Sequence, residues 1–105
     1  MNVIFHLNQY ERMNHCYANV KNLLKEQVGE IHVLINGEPV SLAVKGEEAR
    51  LSELIELGVT VSLCNNALKA NDIDRKDLIE GVNIVNAGVL ELMEKQEAGF
   101  SYIKP

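Results

Sequence analysis

Apolar residues follow two rhythms along this chain. Val3-Ile4-Phe5-His6-Leu7, Ile31-His32-Val33-Leu34-Ile35 and Val59-Thr60-Val61-Ser62-Leu63 are short, nearly continuous runs rich in β-branched residues. Such runs mark strands buried on both faces, as in a parallel sheet. Between the first two lie Met13, Cys16, Tyr17, Val20, Leu23, Leu24 and Val28, spaced by threes and fours into one apolar helical stripe, with Gly29 suited to the helix end.

The same alternation continues. Asn36-Gly37 closes the second strand as a turn, and a short helix is expected after Pro39. A longer helix over 47–57 carries Leu51, Leu54, Ile55 and Leu57, with Gly58 as its stop. The third strand delivers Cys64, and Asn65 and Asn66 stand where a helix would be capped. Residues 72–79 read as a polar connection with a helical turn. Val82-Asn83-Ile84-Val85 is a fourth strand, 87–97 a helix and 100–103 a fifth strand. Strands alternating with helices imply βαβ units, and right-handed crossovers place helices on both faces. The fold class expected is α/β: a three-layer, flavodoxin-like sandwich around a five-stranded, mainly parallel sheet.

Composition narrows the functions open to such a fold. A chain of 105 residues fits a single domain, 1–105, and buries roughly 60–70% of its unfolded surface, enough for a core without staples. The net charge of −5 argues against a nucleic-acid partner, whose phosphates are met by Lys and Arg. Met1 to Leu7 reads as a first strand and not as a leader, and no apolar run approaches the roughly 18 residues of a membrane span, so no membrane association is expected. Cys16 and Cys64 are the two cysteines, far apart, which favours free thiols in a reducing cytoplasm over a disulfide. His6, His15 and His32 lack metal-ligand spacing, and neither G-x-G-x-x-G nor G-x-x-x-x-G-K-[ST] occurs. Neither a metal nor a cofactor is expected.

Asn8, Asn36 and Cys64 each follow a strand and lie 28 positions apart, and Asn86 follows the fourth strand in the same way. Ligands of open α/β sheets bind outside the carboxyl ends of the strands, so these four groups converge where such folds keep their sites. For any one asparagine, turn chemistry is explanation enough. Cys64 differs: it sits between a strand end and a helix start, whose unpaired N–H groups favour the thiolate, the nucleophilic form. Lys69 is near in sequence, Arg75 a little farther, and Asn65 and Asn66 follow directly. The competing view of Cys64 is an inert buried thiol packing like a small hydrophobe. Cys16, on the apolar stripe, fits that view better. His6 and His32 lie inside strands, where structural histidines are usual. His6 nonetheless ends strand one, which neighbours strand three in the flavodoxin-like order. Glu91, Glu94, Glu97 and Lys95 form a solvated helix face.

The run from Gly58 through Cys64 to Leu68, the Asn36-Gly37 turn and the ending Ala98-Gly99-Phe100-Ser101-Tyr102-Ile103-Lys104-Pro105 resemble the DsrE-like family, its short branch in particular. The resemblance covers nearly the whole chain. It implies that Cys64 matches the persulfide-carrying cysteine of sulfur-relay members such as the DsrE and TusD types. It implies also a homo-oligomer, a trimer in the first instance or a hexamer, and a sulfur donor or acceptor protein as partner. The TusD-type pattern continues after its cysteine with small residues and Arg-Arg-Gly. Here Ala70-Asn71-Asp72 stands instead, with Lys69 the only cation. Two functions follow: a sulfur carrier or sulfurtransferase subunit acting through Cys64, or a non-enzymatic module binding a small ligand at the same edge, with Asn8, Asn36, Asn65, Asn66, Lys69 and Asn86 as candidate binding groups.

Overall fold

A computed structural model describes residues 1–105. The apolar runs form strands β1 (Val3–Leu7), β2 (Ile31–Ile35) and β3 (Thr60–Cys64), followed by the shorter β4 (Asn83–Val85) and β5 (Ser101–Ile103). The helices are α1 (Met13–Leu23), α2 (Ala49–Glu56), α3 (Asn65–Ala70) and α4 (Gly88–Glu97), with 3-10 turns at Tyr10–Arg12, Glu38–Ala43 and Arg75–Asp77. The strands make one sheet in the order β4-β3-β2-β1-β5, and every ladder is parallel.

Strand order explains the layers. β1 to β4 step across the sheet in one direction, so right-handed crossovers put α1, α2 and α3 on one face; the return from β4 to β5 puts α4 on the other. The first face holds a core of twenty buried residues, among them Phe5, Val33 and Val61 from the sheet, Cys16 and Val20 from α1, and Leu51 and Leu54 from α2. The second holds four: Ile4, Leu34, Leu92 and Phe100. Truncating a fully enclosed side chain such as Leu54 to Ala costs about 2–5 kcal/mol, from lost transfer energy and the cavity left behind.

The approach to β3 is fixed by the end of α2. Gly58 takes φ +95°, its N–H bonds to the Ile55 carbonyl and the Val59 N–H to the Leu54 carbonyl, a paired closure that needs a left-handed residue. The chain therefore turns directly from helix into strand.

Three local expectations are corrected. α1 ends at Leu23 and not near Gly29; the Leu24 N–H still bonds to the Val20 carbonyl, but the next N–H groups shift to tighter partners and the helix unwinds. Asn65 and Asn66 do not cap α3, because β3 runs into the helix without a loop and Cys64 itself occupies the capping position. β1 lies between β2 and β5, not beside β3, so His6 is two strands removed from Cys64.

Candidate functional site at the carboxyl edge of the sheet

The 28-residue spacing is the register of the sheet. Val3 pairs with Ile31, Leu7 with Ile35 and Ile35 with Leu63. One step on, Asn8, Asn36 and Cys64 stand in a single row across the carboxyl ends of β1, β2 and β3, neighbours about 4.8 Å apart. The fourth place in that row belongs to Val85, the register partner of Cys64, and Asn86 lies one residue beyond.

Cys64 is buried at 7% exposure and belongs to the larger core, as do Ala67 and Leu68 of α3. The chain after β4 crosses nearby. Val85 pairs with Cys64, while a Cβ on Gly88 would lie 3.1 Å from Leu34 Cδ1 and 3.2 Å from Asn36 Cβ. Residues 86 and 87 must therefore pass the end of β3 on the way to α4. The absence of a side chain at Gly88 lets α4 start that close to Asn36. Asn86 is exposed and, with Ala87, Glu91 and Glu94, lines a cleft of about 250 Å³ outside this crossing.

Cations are sparse here. Lys69 is exposed in the last turn of α3, at the far end from Cys64. Arg75 comes closer, its Nη2 donating to Asn65 Oδ1 (3.1 Å) at the first residue of α3. Asn66 is exposed and makes no side-chain hydrogen bond. Asn8 accepts a bond from Lys104 Nζ (2.8 Å), which ties the segment after β5 to the end of β1.

Asn36 belongs to a chain that sequence reading missed. His6 Nε2–H donates to Asn36 Oδ1 (2.9 Å), and the Tyr102 hydroxyl donates to His6 Nδ1 (2.6 Å). An amide oxygen only accepts, so the proton must sit on Nε2, leaving Nδ1 as the acceptor. Burial holds the His6 pKa below the ordinary histidine value; the Asn36 bond opposes this and the nearby Lys104 charge adds to it. His6 is therefore neutral near pH 7. The available signal was strand alternation: His6, Asn36 and Tyr102 all fall on the α4 side of the sheet.

Cys16 presents the opposite environment. It is fully enclosed in α1, and desolvation pushes its thiol up to about 12. His15 is exposed on α1. His32 is buried, its Nε2 bonded to Glu30 Oε1 (3.0 Å) and its ring edge-on to Phe100 at 4.9 Å. No group of three or more His, Cys, Asp or Glu side chains is arranged to hold a metal ion.

Fold and edge together define a small parallel α/β protein with a single cysteine at the mouth of the sheet and a second sealed in the core. The chain belongs to the DsrE/DsrF-like family, whose model matches residues 6–105. It is similar to MTH1491, a protein of unknown function from Methanobacterium thermoautotrophicum, at 32% identity and TM-score 0.93, over 99% of this chain and 98% of that one. The ychN protein from E. coli shares the fold at TM-score 0.84 and 17% identity, over 100% and 99% of the two chains. BT1422, a conserved protein of unknown function from Bacteroides thetaiotaomicron, does so at TM-score 0.81 and 13% identity, over 99% and 94%. No functionally curated protein matches the chain. No helix is long and apolar enough to cross a membrane.

Proposed function

We propose that this protein is a sulfur carrier in which Cys64 holds a persulfide. The observation that supports this reading best is the contrast in thiol placement: Cys64 ends β3 in the register row at the carboxyl edge, whereas Cys16 is enclosed and held protonated. In the transfer, the Cys64 thiolate attacks the terminal sulfur of a donor persulfide. The donor's S–S bond breaks as the new S–S bond forms, the donor leaves as its thiolate, and the proton stays on the transferred sulfur. No external oxidant or reductant is consumed. A donor or acceptor protein must supply and collect that sulfur, and the reading places the chain in a reducing cytoplasm, where a free thiol persists.

Incubation of the native protein with inorganic polysulfide, followed by intact mass, tests the reading: it predicts a gain of one sulfur, removed again by dithiothreitol. No gain over the untreated protein contradicts it and favours the module that binds a small ligand without chemistry. That alternative draws support from the cleft beside Asn86 and the small opening left at Cys64.

Self-association is part of the proposal. α4 carries Val89, Leu90 and Met93 at 64%, 49% and 57% exposure, an apolar outer face on the thinly covered side of the sheet. A homo-oligomer, trimer or hexamer, would cover it. Light scattering is expected to give a multiple of the 11.7 kDa chain, and Met93→Lys to lower it.

A further inference from the structure

The three tyrosines differ in what receives their hydroxyl protons. Tyr10 donates to the Glu38 carbonyl and shares a hydrogen bond with Ser41 Oγ, and neither oxygen can take a proton near neutral pH. Tyr17 donates to both oxygens of Glu53 (2.8 and 2.9 Å). The Lys21 ammonium bonded to that carboxylate holds it below the usual carboxylate range, which makes it a poor base. Tyr102 donates instead to a neutral nitrogen, His6 Nδ1, at 2.6 Å. The far nitrogen of that ring donates to Asn36 Oδ1 at 2.9 Å, which fixes the tautomer and leaves the Nδ1 lone pair on the phenol. A hydroxyl, a base within hydrogen-bond reach and a third group orienting the base make the arrangement that activates a nucleophile. Tyr102 is 40% exposed, so the arrangement opens to solvent. Lys104, tied to Asn8, brings a positive charge near the His6 ring.

We infer that Tyr102 is a nucleophile for acyl transfer, with His6 as its general base and Asn36 as a positioning residue, and that its donors are acyl phosphates. The assignment goes beyond the sulfur-carrier reading and involves neither cysteine. In the step, Tyr102 Oη attacks the acyl carbonyl carbon and forms an ester bond. The bond from that carbon to the phosphate oxygen breaks, phosphate leaves with the electron pair, and the phenolic proton passes to His6 Nδ1. The imidazolium keeps its Nε2–H on Asn36 Oδ1 and gives up the extra proton to water. No oxidation or reduction occurs. Lys104 supplies the charge that draws an anionic leaving group to this end of the sheet.

Native protein is treated with acetyl phosphate, or with the neutral donor N-acetylimidazole, and acetylation is read by peptide mass. Each sample is read again after neutral hydroxylamine, which cleaves a tyrosine ester and leaves an acetyl-lysine. Tyr10 is the internal reference: at 43% exposure it is as open as Tyr102 but lacks the base. Tyr102 is expected to react about tenfold faster than Tyr10, less than the roughly 10²–10⁴ that a base contributes in an enclosed site. His6→Leu should remove that advantage and Asn36→Leu should lower it. Asn36→Asp, which still accepts from Nε2–H, should keep it. The Tyr102-to-Tyr10 ratio cancels any change in the donor itself. It should be level around neutral pH and fall as pH drops through the His6 midpoint, which lies below 6.5, because an imidazolium cannot take the proton. The groups against that ring are Tyr102 on β5, Asn36 on β2 and Lys104 beyond β5, while α4 reaches Asn36 with the uncharged Gly88. In Asn36→Asp the fall should begin at higher pH, since a carboxylate favours the imidazolium. Lys104→Gln should slow acetyl phosphate and leave N-acetylimidazole unchanged.

Equal rates at Tyr102 and Tyr10, or a ratio that neither His6→Leu nor pH alters, would overturn the assignment. So would a hydroxylamine-resistant acetyl group on Lys104 with Tyr102 untouched, since the amine would then be the nucleophile. Equal effects of Lys104→Gln on the two donors would overturn the choice of an anionic donor. Should His6→Leu fail to fold, the tyrosine ratio of the parent and its course with pH decide.

Discussion

The two cysteines sit on opposite sides of one physical divide. Cys16 is set in the α1 stripe against the larger core, among groups that offer no hydrogen bond and no charge. Its thiol is therefore held in the protonated form, up to about 12. Cys64 is almost as well covered, yet its place is different: it ends β3 directly at the start of α3. Asn36 stands beside it in the register row and Asn65 follows it in sequence. The difference teaches that covered area alone does not describe a thiol's setting: the groups around it decide how well an anion there would be solvated.

Labelling rates give the largest expected contrast. Near pH 7 the Cys16 thiol lies about five units below its midpoint, and each unit removes about tenfold of the thiolate. Peptide-resolved alkylation of the native protein should modify Cys64 at least about a hundredfold faster than Cys16, even with Cys64 access limited. Equal rates would erase the comparison.

Alkaline unfolding comes next. The Cys16 thiol is raised from 9.0 to about 12 in the folded chain. Between those values the unfolded chain has lost the proton that the folded chain keeps, so stability present below about 9 is lost as pH rises toward 12. The loss is about 1.4 kcal/mol per pH unit over that window. Denaturant melts of the parent and of Cys16→Ala should show a shallower alkaline decline in the variant, although it is less stable at neutral pH. Parallel declines would mean that the thiol is not desolvated.

The smallest effect concerns neutral-pH stability. Cys16→Ser puts a hydroxyl into an apolar enclosure and is expected to cost about 1–3 kcal/mol. Cys64→Ser, at a strand end with 7% exposure, is expected to cost less, about 1 kcal/mol or below. Chemical melts of both variants at neutral pH read this directly, and a reversed order would count against the assigned environments.

How much of this could be read from sequence follows from what is local and what is not. β1 and β2 were legible to the residue, because runs buried on both faces leave a continuous apolar signature. The Gly58 stop was legible because a left-handed position selects glycine. The 28-residue spacing of Asn8, Asn36 and Cys64 was visible too, and turned out to be strand register. Strand order was not legible. It depends on the direction of each crossover, which no short segment encodes, so β1 was expected beside β3. The same gap hid the His6–Tyr102 bond, whose partners are 96 residues apart and meet only because the last crossover returns to β1. Lys69 drew attention by sequence distance, but Arg75 is the cation that reaches the start of α3. The loop between them folds back, which spacing along the chain does not reveal.

Site-resolved detection of the transferred sulfur tests the central claim most directly. Native protein is incubated with a sulfane-sulfur donor, its thiols and persulfides are capped, and the Cys16 and Cys64 peptides are weighed, for the parent, Cys16→Ser and Cys64→Ser. The account predicts one added sulfur on the Cys64 peptide in the parent and in Cys16→Ser, and none anywhere in Cys64→Ser. Sulfur on the Cys16 peptide, or undiminished uptake by Cys64→Ser, would contradict it.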